Sequence, residues 1–130
     1  MNASTNPFIV TKITTNENGI SVFSEIDFDV SQRGGLFLTE QIAAKNFRIR
    51  RSDVGYATDF HLAGDATFII ILKGSLKIEL QNGAFKIFKP GELFIAADNL
   101  NENEVFDNTI HGHKASVTGN VSLEAIHIKL

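Results

Sequence analysis

Residues 67–97, TFIIILKGSLKIELQNGAFKIFKPGELFIAA, constrain this chain more than any other stretch. Short runs of Ile, Leu and Phe are cut by Lys-Gly, Asn-Gly and Pro-Gly, and none keeps a 3.6-residue period long enough for a helix. Across the whole chain such runs recur about every eight to twelve residues, which is the pattern of an all-β domain. Strands are predicted near 8–14, 20–28, 35–39, 46–51, 67–73, 75–80, 84–88, 92–97, 109–117 and 121–129, with one helical turn in LTEQIAAKN.

Two turns set the local expectation. Lys73-Gly74 and Asn82-Gly83 each lie between apolar runs, and Asn-Gly favours a tight hairpin because both turn positions accept positive φ. The sequence therefore predicts three consecutive antiparallel strands from Thr67 to Phe88. In SLKIEL, Leu76, Ile78 and Leu80 alternate with Lys77 and Glu79, giving one wet face. FIIIL is apolar at every position and is expected to be covered on both faces, by a second sheet or by a second copy.

Composition narrows function by exclusion. The 130 residues fit one domain, 1–130, with N-terminal strands in 1–45 and a barrel in 46–130. Twelve basic residues against 15 acidic ones, with RIRR at 48–51 the one basic cluster, do not make a nucleic-acid surface. With no cysteine, disulfides and thiolate metal sites are excluded. No apolar run is long enough to span a bilayer, and MNASTNPFIV lacks the charged-then-apolar plan of a leader, so a cytoplasmic protein without membrane partners is expected.

The order of strand, Gly74, strand, Asn82-Gly83, strand, Lys89-Pro90-Gly91-Glu92 and apolar strand resembles the cupin superfamily, a double-stranded β-helix or jelly-roll barrel. The resemblance covers residues 46–130. More narrowly, the chain is similar to small single-domain cupins of unknown function; FHLA at 60–63, GH at 112–113 and AIHIKL at 125–130 stand at the corresponding places. It implies the fold more strongly than any activity. It also implies N-terminal strands that extend the sheet and pair with a second copy, hence a homodimer.

Metal-binding cupins place His-x-His and a Glu seven residues before the glycine, and a further His on a later strand. Here the resemblance puts His61 at the first histidine, Ala63 at the second and Thr67 at the Glu, so two motif ligands are missing. His111 and His113, two apart, are expected to share a side of a regular strand and, with His61, to form a three-histidine alternative suited to Zn, Fe, Mn or Ni. Without it, His61 bonds within the barrel mouth, His113 holds a turn, His111 is solvated and His127 is a packing or surface residue.

Among the carboxylates Asp53, Asp59, Asp65 and Asp98, one beside His61 would serve as a general acid or base. Asp65 and Asp98, each next to Gly or Asn, are assigned to turn chemistry. An inward-facing arginine from 48–51 would clamp a carboxylate. The expected function is therefore binding of a small apolar or carboxylate-bearing molecule in the barrel cavity, with His61, Thr67, Tyr56, Arg50 and His113 at its mouth and no cofactor. The alternative is a metal-dependent oxygenase or isomerase using His61, His111 and His113. The polar stretch 98–108 is a candidate lid.

Overall fold

The computed structural model describes residues 6–130. Eleven strands follow in order: β1 Phe8–Thr15, β2 Ser21–Phe28, β3 Ser31–Arg33, β4 Leu36–Leu38, β5 Asn46–Ser52 and β6 Thr67–Lys73. After them come β7 Ser75–Leu80, β8 Phe85–Phe88, β9 Leu93–Ala96, β10 His113–Thr118 and β11 Leu123–Lys129. The described residues contain no helix, and so none able to cross a membrane.

Six strands form the larger sheet in the order β2-β1-β9-β6-β11-β5, three form a facing sheet β10-β7-β8, and β3-β4 is a small hairpin of its own. Two sheets joined by chain crossings make a jelly roll, here open rather than closed. As expected, the N-terminal strands extend the larger sheet, β1 lying parallel to β9 with Ile13 beside Ala96.

The turn at Gly74 differs from the sequence expectation. β6 pairs with β9 and β11, β7 with β8 and β10, so Gly74 is a corner where the chain changes sheet, not a hairpin. Its φ of +76° and a Cβ site 2.7 Å from the Ser122 carbonyl oxygen admit only glycine without strain. The Asn82-Gly83 turn is a hairpin: Leu80 N–H donates to Ala84 O at 2.8 Å, and the Asn82 side chain accepts from the Ala84 N–H at 2.9 Å.

Three other elements depart from expectation. LTEQIAAKN forms no helical turn; after Leu38 it runs without regular structure, and Thr39, Ile42 and Ala44 line shallow cavities beside Phe68. The Gly34-Gly35 pair splits 31–38 into two short strands. The strand expected over 109–117 begins only at His113, because residues 107–110 form a turn closed by Ile110 and His111 N–H groups on Asp107 O.

Between the sheets lies one apolar cluster built from Ile13, Ile69, Ile71, Leu76, Ile78, Phe94, Val117, Leu123, Ala125 and neighbours. Burying each larger side chain contributes about 1.5–3 kcal/mol. The strict alternation of β7 survives, with Leu76, Ile78 and Leu80 buried. β6 is fully buried on one face, at Ile69 and Ile71, and only partly covered on the other, where Phe68 and Ile70 are half-buried and Leu72 is exposed.

Candidate functional site

The polar groups of this interior are gathered where the sheets meet loop 97–112. His113 opens β10 opposite Leu80, on the face that carries Ala115 and Val117 into the core. The segment containing His61 runs beside it, with His61 N–H donating to His113 O at 2.8 Å and His113 N–H to His61 O at 2.9 Å. Their rings lie 4.6 Å apart between centroids. Gly112 permits this approach: a Cβ there would sit 2.5 Å from the His61 carbonyl oxygen.

Behind His113 stands Asp98, with no solvent exposure at all. Its carboxylate accepts from Ser21 Oγ at 2.7 Å, from His113 Nδ1 at 2.8 Å and from the Ala63 N–H at 3.2 Å. Burial pushes this carboxyl up, but the bonds from His113 and Ser21, the charge of a protonated His113 and the Ala63 amide together outweigh it and hold it below the usual carboxylate range. Asp98 is thus a buried anchor and not a turn aspartate. No local signal in the sequence pointed to it, because Ser21 and His113 are remote along the chain.

The anchor fixes tautomers. His113 Nδ1 donates to Asp98, and His61 Nδ1 donates to Asp59 O at 2.9 Å, with Thr58 Oγ1 3.2 Å away. In each neutral ring Nε2 therefore keeps its lone pair, and neither Nε2 bonds to another described residue. A histidine held this way by a carboxylate is equipped to take up or return a proton.

His111 belongs elsewhere. It is buried, not solvated; its Nδ1 accepts the Asp107 N–H at 2.9 Å, and its Nε2 faces Glu104 Oε2 at 3.2 Å. Both ring nitrogens are thereby used inside loop 97–112, whose Asn101 in turn reaches Asn16 O at 3.1 Å. The proposed three-histidine set does not fit a metal ion, and no group of three or more histidine or carboxylate side chains among the described residues is placed to hold one.

The larger sheet supplies the other wall. Register places Lys129 between Asn46 and Thr67, His127 between Arg48 and Ile69, and Ala125 between Arg50 and Ile71, all on the core-facing side. Thr67 is buried; its Oγ1 accepts from Lys129 Nζ at 2.9 Å and donates to Asp65 O at 3.0 Å. Arg50 Nη1 lies 3.5 Å from His127 Nδ1. Desolvation, then Arg50, Lys129 and Arg48, press the His127 pKa from 6.5 to about 4. His127 therefore faces inward and is neutral near pH 7. Arg51 points to the opposite face and pairs with Glu124 at 3.0 Å. Tyr56, half exposed, is tied to β10 by the Val117 N–H.

No protein-family model matches the chain, and neither does any curated protein. Among solved structures, protein NMB1881 from Neisseria meningitidis is similar at 11% identity and a TM-score of 0.46, covering 100% of this chain and 88% of that one. The Cnp3 cupin domain of Schizosaccharomyces pombe is similar at 12% identity and a TM-score of 0.44, covering 95% and 84%. The chemistry of the site rests on this chain's own residues.

Proposed function

We propose that this jelly roll binds a small apolar or carboxylate-bearing molecule between its sheets, without a metal ion. The observation that carries this is the exposure of β5. Arg48 and Arg50 face the core side of the larger sheet yet are exposed, while Ala125 and Ile71, one and two strands behind Arg50, are buried. The inner face of the larger sheet thus passes from solvent at Arg48 and Arg50 to the closed apolar core one strand further in, and a ligand would enter at that margin. His61, Thr67, Tyr56, Arg50 and His113 supply its polar groups, with the free Nε2 atoms of the two histidines available to bond a ligand or accept its proton.

Backbone shift mapping with small aliphatic and aromatic ligands tests this. The reading expects saturable shifts at Ile69, Ile71, Ala125 and Val117; shifts confined to the outer face of the larger sheet would refute it. Elemental analysis of untagged protein addresses the alternative. An equimolar transition metal lost from both His61→Ala and His113→Ala would overturn the metal-free reading.

A homodimer is supported by a second observation. On the outer face of β5, Phe47 and Ile49 are 70% and 68% exposed, and Phe8 and Ile9 are also uncovered. An apolar, unpaired edge strand invites a second copy.

A further inference from the structure

The cations on the inner face of β5 and β11 are unbalanced. Among the described residues Lys45, Arg51, Lys77 and Lys114 each have a carboxylate within ion-pair distance; Arg48, Arg50 and Lys129 are among the eight basic residues that have none, and these three share one face of the sheet. Among the described residues the acids on this interior face are Asp98, just past β9 and already engaged by His113, Ser21 and the Ala63 N–H, and Glu25 and Asp27 on β2 at the opposite edge, four strands from β11 and about 19 Å away at the usual strand spacing. On the facing sheet, β7 and β10 present Leu76, Ile78, Leu80, His113, Ala115 and Val117 inward, again without an acid. Three like charges thus surround one half-buried histidine, with no carboxylate of the described residues within ion-pair distance of them.

Resting on the small-molecule reading above, the geometry points to a carboxylate as the ligand's head group, held by Arg48, Arg50 and Lys129 at the margin of the core, with its apolar body entering between the sheets towards the buried Ile69, Ile71 and Ala125. The two guanidinium groups stand on alternate residues of one strand, about 6.8 Å apart along it, close enough to grip one planar anion from two sides. Lys129, bonded to Thr67, is fixed one strand over. Carboxylate suits the site better than phosphate, because β11, which carries Lys129 and His127, is flanked on both sides and its backbone N–H groups are committed to the β5–β11 and β11–β6 ladders.

The test is a shift titration of the full chain with octanoate, 1-octanol and inorganic phosphate. Octanoate is expected to bind at least tenfold more tightly than octanol, with shifts on β5 and β11. R48Q, R50Q and K129M should each weaken octanoate about tenfold and leave octanol unchanged, while R51Q, on the outer face, changes neither. Equal binding of octanoate and octanol would overturn the carboxylate assignment and leave the cavity reading standing. Phosphate binding as tightly as octanoate would overturn the requirement for an apolar body. Failure of every ligand to shift the core-facing residues at millimolar concentration would overturn both readings.

Discussion

Asp98 is the residue whose removal the structure predicts most sharply. Asp98→Ala deletes the acceptor of three hydrogen bonds, from Ser21, His113 and Ala63, at a point without solvent exposure. Each stranded donor costs about 1–3 kcal/mol, and water admitted to the small cavity recovers part of that, so the net loss is about 3–5 kcal/mol. Against a total of about 5–15 kcal/mol this is a large share. Urea unfolding at pH 7 reads it directly: with a slope of about 2 kcal/mol per molar, the midpoint falls by about 2 M. Asp98→Asn keeps the shape and one acceptor and should lose less, about 1–2 kcal/mol, while forcing His113 to accept at Nδ1 and carry its proton on Nε2, a change visible in ring 15N shifts. A double-mutant cycle with His113→Leu should return a coupling of about 1–3 kcal/mol. A midpoint for Asp98→Ala within about 0.5 M of the parent, or a cycle with no coupling, would refute the idea that this network anchors the site.

The folded-state pKa of His127, about 4 against 6.5 when free, makes stability fall as pH drops from 6.5 towards 4, because only the unfolded chain takes up that proton. The half-exposed ring is screened, so the loss is about 1–2 kcal/mol, and His127→Gln should remove it at pH 4 while changing nothing at pH 7 in urea melts at both values. Gly74→Ala should cost about 3 kcal/mol and Gly83→Ala about 1 kcal/mol, since both need positive φ but only the Cβ at 74 meets backbone; equal thermal shifts would contradict the corner geometry. Ile49→Glu is expected to turn a dimer into a monomer by light scattering, and a mass unchanged from the parent's would remove β5 from the contact.

The strands were legible in the sequence because their apolar runs and turn residues are local. Their partners were not: Lys-Gly after an apolar run suits a hairpin and a change of sheet equally, and only the pairing of β6 with β9 and β11 decides between them. The cupin resemblance singles out His61 by its place before Gly74, the two-residue spacing singles out His111 and His113, and of these His61 and His113 meet. His111 was grouped with them on the assumption of a regular strand through 109–117, which the positive φ of Gly112 breaks. Asp98 reads as a turn residue in the sequence because an aspartate before asparagine carries no mark of burial. Arg48 and Arg50 were recognised as alternating with apolar neighbours, but the absence of nearby acids depends on strand order, which one sequence does not display.

β5 is finished at Ser52, yet its partner β11, which joins it to the rest of the larger sheet, ends at Lys129. During synthesis at about 5–20 residues per second, β5 waits roughly 4–15 s with Phe47 and Ile49 uncovered and no neighbour to pair with. For that interval the nascent chain offers other polypeptides an adhesive ribbon that the native protein later ties down along one edge. Shielding of this ribbon until β11 arrives therefore bears on the yield of folded protein, apart from the packing of the finished core.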